Sequence, residues 1–215
     1  MQSDPVNMYT MFDLKILDEN IWYYENVISY PEDLINFINK MDDDETSYSR
    51  IPKWSNWTAS NDESMIYGKT KMIHQNAFEI SSGNERVDQT TLYILNSLKM
   101  AVELSAKDFV KRRQLDVSEI NINLDQVNIK MYYADQEMGP HYDGQDGDTK
   151  LRYSIITYLN DDYEGGELYF KDQDIKIKPK AGSLVIFPSQ KPYIHQSLPV
   201  KSGVKYMSPS LWLNN

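Results

Sequence analysis

Apolar positions along this chain change their period once, near residue 120. In "SYPEDLINFINKM", residues 29–41, Leu34, Phe37, Ile38 and Met41 recur at helical spacing. Pro31 suits a first turn, and Glu32 and Asp33 favour the positive end of a helix dipole. "TTLYILNSLKMAVELSAKDFVKRR", residues 90–113, predicts a longer helix through Leu92, Leu95, Leu98, Val102, Phe109 and Val110. Its Lys-Arg-Arg end suits the negative pole and reads as a solvated cluster. The "DDDE" after the first helix reads as a solvated loop. Residues 46–88 hold no sustained period. They predict an irregular segment with a few short strands, its tryptophans and tyrosines able to fold over a pocket.

After residue 120 the pattern becomes short β-branched and aromatic runs between Gly, Pro and Asp turns. These are "QVNIKMYYA", "LRYSIITYLN", "GELYF", "DIKIKP", "SLVIFP" and "VKYMSPSLWL". Helices followed by strands predict an α+β protein whose C-terminal half is a sandwich or closed barrel.

Composition narrows the picture. The chain has 215 residues, enough for one domain with a substantial core. No apolar run approaches the roughly 20 residues of a membrane span, so no membrane partner is expected. A net charge of −10 repels phosphate backbones and argues against nucleic acid. Cysteine is absent, which excludes disulfides, thiolate metal sites and cysteine nucleophiles. With no basic, apolar leader at the N-terminus, the expected location is cytoplasmic.

Three histidines remain to carry chemistry. In "GPHYDGQDG", His141 and Asp143 stand two apart, so on an extended chain their side chains share a face and can share a cation. His195, in "PYIHQSL", lies late in the strand-rich half. Two histidines and a carboxylate are the donor set of the facial triad that holds non-haem Fe(II), and zinc accepts the same donors. His74 has no comparable partner and reads as structural or surface. Lys205, in "GVKYMSPSLWL", follows His195 closely enough to place a cation beside the same metal, where a lysine offers a point charge for a carboxylate. "DGQDGD" lacks the spaced ligands and terminal glutamate of a calcium loop. Lys176, Lys178 and Lys180 of "IKIKPK" read as a solvated strand face.

"HYD", "RYSIITYLNDDYEGGELYF", "KAGSLVIFPS" and "YIHQSLPVKSGVKYMSPSLWL" together resemble the catalytic core of the 2-oxoglutarate/Fe(II)-dependent dioxygenases, in their prolyl 4-hydroxylase-like branch. The resemblance covers roughly residues 125–213. It implies a double-stranded β-helix (jelly-roll) core over 121–215, buttressed by N-terminal helices, with 1–120 as support and possible lid of a single dioxygenase domain. It makes His141, Asp143 and His195 the iron ligands and catalytic centre, and Lys205 the partner of the distal carboxylate of 2-oxoglutarate. Tyr132 would lie near the co-substrate, with Tyr133 turned the other way towards core. Tyr158 falls where relatives contact the co-substrate, with barrel packing as the alternative. Gly165 and Gly166 would permit a tight strand entry, and Trp212 would wall the pocket or sit in the core.

The implied cofactors are Fe(II), 2-oxoglutarate and O2, with ascorbate as reductant. The implied reaction is hydroxylation of a prolyl residue in a peptide or protein, with release of succinate and CO2. A free amino acid or other small molecule is the second substrate reading, and a catalytically silent metal-binding module the third. Nucleic-acid demethylation is disfavoured, because such enzymes grip the co-substrate with arginines after the last histidine and this chain has none from 153 onwards.

Overall fold

The alternating runs pair into antiparallel sheets in a computed structural model that describes residues 12–43, 54–59, 62–74, 85–116, 120–122, 126–144 and 151–214. The N-terminal elements are β1 (Asp13–Ile16), β2 (Trp22–Glu25), α1 (Pro31–Asp43), β3 (Ser55–Ala59), β4 (Asp62–His74) and α2 (Glu85–Arg113). Next come β5 (Ile120–Ile122), β6 (Gln126–Tyr132), β7 (Met138–His141), β8 (Leu151–Tyr158), β9 (Glu164–Gly165) and β10 (Leu168–Phe170). The last are β11 (Ile175–Ile177), β12 (Ser183–Pro188), β13 (His195–Ser197), β14 (Val200–Ser202) and β15 (Lys205–Asn214).

The larger sheet runs β1-β2-β12-β8-β15-β6-β4-β3, with β5 on β15, and the smaller runs β11-β10-β13-β7. Strand alternation gives the larger sheet two buried faces. On β12, Leu184 and Ile186 point to one core while Val185 and Phe187 point to the other. On β2, Trp22 and Tyr24 divide from Tyr23 in the same way. The first face is covered by the helices: Val102 and Phe109 of α2 meet Tyr153 and Ile155, and Leu34 and Ile38 of α1 meet Ile129. The second face meets Leu168 and Phe170 of the smaller sheet. The functional residues lie in this second interlayer.

Phe109 anchors the helix layer. It is fully buried and meets Trp22 and Tyr153 edge-on, at centroid distances of 4.9 and 5.1 Å. Phe109→Ala is expected to lower stability by ~3–5 kcal/mol, read as a reduced midpoint in denaturant unfolding.

Several expectations change. The N-terminal part adds two strands that were not expected, β1 and β2, at one edge of the larger sheet, while the strands expected within 46–88 form β3 and β4 at the other, β4 running to 13 residues. The helix predicted from 90 begins at Glu85, and Leu92 of its supposed stripe is exposed while Thr91 and Ile94 are buried. Tyr133 does not turn into the core. It follows the end of β6, its backbone N–H donates to Gln136 Oε1, and its side chain is exposed whereas Tyr132 is fully buried.

The basic end of α2 is exposed at Lys111 and Arg112, as expected, and is also held by specific contacts. Arg112 grips Asp108, and Arg113 donates to Glu19 O and Asn20 Oδ1 in the β1–β2 loop. The lysines of "IKIKPK" also separate, because β11 ends at Ile177. Lys176 lies over Tyr169, Lys178 donates to Tyr163 O and Gly165 O, and Lys180 pairs with Glu25. Among the described residues no helix is long and apolar enough to cross a membrane.

Candidate active site

Register brings the two distant histidines together. β13 pairs antiparallel with β7 so that His195 stands opposite His141, with ring centroids 4.4 Å apart. Asp143 lies in the bend after β7. Its Oδ1 is 3.5 Å from His141 Nε2 and its Oδ2 is 3.6 Å from His195 Nε2. The three potential ligand atoms lie within 4.8 Å of one another.

The tautomers follow from the partners. His141 Nδ1 lies 2.8 Å from Gly139 O and His195 Nδ1 lies 3.2 Å from Tyr193 O. A carbonyl can only accept, so in each neutral ring the proton sits on Nδ1 and the Nε2 lone pair faces the carboxylate. Three lone-pair donors converging on one point repel each other unless a cation lies between them. The donor set therefore fits a divalent ion, with imidazole and carboxylate suiting Fe(II). Burial pulls His195 down to about 4, which keeps it in the neutral, ligating form. Burial opposes ionisation of Asp143, but His141, His195 and Ser154 hold its carboxyl below the usual range. Ser154 Oγ donates to Asp143 Oδ2 and lies 2.8 Å from Ser189 Oγ, so a short hydroxyl chain orients the carboxylate.

Lys205 opens β15 on the same cavity, which has a volume of about 300 Å3. The lysine is 1% exposed. Its ammonium donates to Gly166 O and Ser197 Oγ, both at 2.7 Å, and no carboxylate among the described residues pairs with it. The rings of Tyr132 and Tyr158 stand 5.2 and 5.4 Å from Nζ. Both tyrosines are buried and line the cavity, and the Tyr132 hydroxyl has no hydrogen-bond partner among the described residues. A buried ammonium without a counter-ion beside an orphaned hydroxyl is the complement of a carboxylate. The structure thus brings all six sequence-predicted residues to one cavity.

Burial, reinforced by the positive charge of Lys178, pulls the Lys205 ammonium down to about 7. A bound carboxylate favours the charged form and raises that value again. Binding of 2-oxoglutarate near pH 8 is therefore expected to take up a proton and to weaken as pH rises above about 7. Calorimetry in buffers of different ionisation enthalpy reads the uptake directly.

Gly165 and Gly166 do allow a tight approach. Both have positive φ, 70° and 64°. A Cβ on Gly166 would lie 2.9 Å from Tyr163 Cε2 and 3.2 Å from Lys205 Cδ. Gly166→Ala is expected to destabilise the fold by ~1–3 kcal/mol and to raise the 2-oxoglutarate requirement by displacing Lys205. Thermal unfolding and co-substrate titration check the two effects separately.

Sequence reading missed Ser154 and Ser197, and had Trp57 only as one aromatic of a stretch able to fold over a pocket. The serines act through hydrogen bonds to the ligand carboxylate and the lysine, and no spacing signals that. Trp57 packs edge-on against Tyr132 at 5.7 Å and lines the cavity from β3, inside the stretch expected to fold over a pocket. The side chains of His74 and Trp212 and the loop 145–150 lie outside the described residues.

Comparison with known proteins agrees with this geometry. Residues 127–214 match the sequence model of the 2OG-Fe(II) oxygenase superfamily. Human prolyl 3-hydroxylase 2 is 40% identical over 65 residues, 28% of this chain and 9% of that protein. A putative prolyl 4-hydroxylase of Acanthamoeba polyphaga mimivirus is 39% identical over 67 residues, 27% of each chain. The matches thus span well under two thirds of these relatives.

In fold, the chain is similar to a Trichoplax adhaerens prolyl hydroxylase solved with a hypoxia inducible factor oxygen degradation domain peptide fragment. The TM-score is 0.64 at 16% identity, covering 91% of this chain and 84% of that one. It is also similar to the viral collagen prolyl hydroxylase of Paramecium Bursaria Chlorella virus-1 in its 2OG complex. There the TM-score is 0.56 at 18% identity, covering 91% and 96%. The segment 127–214, which carries the His141, Asp143 and His195 cluster, thus resembles the 2OG-Fe(II) oxygenase superfamily, a likeness that supports an oxidoreductase using Fe(II), 2-oxoglutarate and O2.

Proposed function

We propose that this protein hydroxylates a prolyl residue in a peptide or protein, consuming 2-oxoglutarate and O2 and releasing succinate and CO2. The observation that carries the dioxygenase reading is one cavity holding three convergent ligand atoms and a buried ammonium that no carboxylate among the described residues pairs with. The prolyl assignment is supported by the partial likeness to prolyl hydroxylases. We also assign the whole chain to one dioxygenase unit whose β-core is a double-stranded β-helix. The support is the single helix layer that packs across the larger sheet.

In this reading His141 Nε2, His195 Nε2 and one oxygen of Asp143 hold Fe(II), which when bound supplies the oxidative chemistry on 2-oxoglutarate and O2. The chain's own residues bind, orient and shield. Lys205 neutralises the distal carboxylate of the 2-oxo acid, and Ser197 and Gly166 O hold the ammonium in place. Tyr132 offers its hydroxyl to the same acid. Ser154 keeps Asp143 turned towards the histidines. Leu168 and Met207 line the cavity and exclude water, so that the Lys205 charge acts in a low-dielectric setting.

The test is incubation with Fe(II), ascorbate, 2-oxoglutarate and proline-containing peptides. Succinate formation with a mass gain of one oxygen on proline supports the proposal. Succinate formation with oxygen delivered only to other residues or small molecules rejects the prolyl assignment. No 2-oxoglutarate turnover rejects the enzyme reading.

A further inference from the structure

The mechanism above leaves one charged group of the cavity without a task. On β6, Val127 and Ile129 face the helix layer, while Asn128, Lys130 and Tyr132 line the cavity. Lys130 is 7% exposed. Its ammonium lies 3.9 Å from the centre of the Trp57 ring and donates to Thr70 Oγ1 at 3.2 Å. Thr70 passes its own proton to Asn128 Oδ1 at 2.7 Å. No carboxylate among the described residues pairs with Lys130.

The result is a small donor cluster with no acceptor. The Asn128 carbonyl is occupied by Thr70, which leaves its amide N–H groups without a partner among the described residues. The Lys130 ammonium has spent one hydrogen on a neutral hydroxyl and rests on an aromatic face. A cation–π contact of this kind stabilises the ammonium far less than full hydration does. Burial pulls the ammonium down to about 8, so it still carries its charge at neutral pH. A second buried cation facing the cavity calls for an anion there.

That anion is not the co-substrate. β6 and β15 pair with Lys205 opposite Tyr132 and Met207 opposite Lys130, so the two ammonium groups occupy different rows of the sheet. Lys205 Nζ lies beside the Tyr132 ring and Lys130 Nζ over the Trp57 ring, which meets Tyr132 edge-on. One carboxylate of 2-oxoglutarate is committed to Lys205 and the 2-oxo acid end to the metal. Lys130 is left for the other reactant.

We propose that Lys130, with the Asn128 amide and the Trp57 ring, binds a carboxylate of the substrate that is hydroxylated. The substrate class is therefore a prolyl compound carrying a carboxylate beside the reacting ring. Its source is either an acidic side chain next to proline or the terminal carboxylate of a short peptide. The inference rests on the dioxygenase reading above and adds the chemistry that selects the substrate.

The test uses full-length protein loaded with Fe(II) and 2-oxoglutarate and kept free of O2, so that binding is read without turnover. Four probes are titrated calorimetrically: acetyl-Pro-Glu-amide against acetyl-Pro-Gln-amide, and acetyl-Gly-Pro acid against its amide. In one of these pairs the acid is expected to bind roughly tenfold or more tightly than its neutral partner. Which pair shows the preference identifies the source of the carboxylate. Lys130→Met should bring the ratio towards one, and Lys130→Arg should retain a preference. The ratio does not depend on how much of a variant is folded, because both members titrate the same sites.

Equal binding within both pairs, no binding of either acid, or a preference that survives Lys130→Met overturns the proposal. Titration of 2-oxoglutarate into the same wild-type preparation separates the two readings. Saturable co-substrate binding without acid preference removes only the Lys130 subsite, whereas absent co-substrate binding removes the dioxygenase reading.

Discussion

Asp143→Ala is expected to abolish 2-oxoglutarate turnover and to weaken Fe(II) binding by more than about 100-fold. Loss of a residue that merely orients a metal ligand typically reduces affinity about 10–100-fold, and Asp143 supplies a ligand atom itself. It also contributes the only negative charge in the cluster of His141, Asp143 and His195. Without it, two neutral imidazoles face each other, and Ser154 loses its acceptor. The backbone contacts that fix the rings, to Gly139 O and Tyr193 O, do not involve Asp143 and should survive. The variant should therefore fold, which circular dichroism can verify, while equilibrium dialysis shows the lost metal. Wild-type turnover in Asp143→Ala would remove this residue from the metal site.

Lys205→Ala is expected to raise the 2-oxoglutarate requirement by roughly 10–100-fold, the usual worth of a charge-assisted hydrogen bond to a carboxylate. The effect should depend on the distal carboxylate. Wild-type protein should discriminate strongly between 2-oxoglutarate and 2-oxobutyrate, which lacks that group, and the variant should not. Because Lys205 is also a buried side chain held by Gly166 O and Ser197 Oγ, its removal alone could disturb packing. The discrimination ratio isolates charge pairing from such damage. An unchanged ratio would reject the countercharge role.

Much of the site was legible because it is written in strands. "YIHQSL" and "GPHYDG" carry His195 and His141 in short strands, with Asp143 in the bend just after the second, and the resemblance supplied the order of the motifs. Pairing then does the rest: the register of β7 with β13 is what sets His141 opposite His195. Both helices were also legible, since their apolar spacing extends over several turns.

The rest was hidden for physical reasons. β4 is sparse in apolar residues, and its partner β6 lies beyond the whole of α2. Lys71 and Lys130 are both buried, which defeats the assumption that polar positions on an alternating strand face water. On β6 the polar positions face a cavity instead. That is why Lys130, and the place of Trp57 beside it, emerged only from the folded chain. Tyr133 was misplaced because alternation was extended one residue past the end of β6 into a turn.

The most direct measurement of the central claim is a crystal structure of the protein with Mn(II) in place of Fe(II) and with 2-oxoglutarate. The ion should lie about 2.0–2.3 Å from His141 Nε2, His195 Nε2 and an oxygen of Asp143, with the distal carboxylate of the acid on Lys205 Nζ. An ion bound elsewhere, or an acid whose distal carboxylate avoids Lys205, would contradict it.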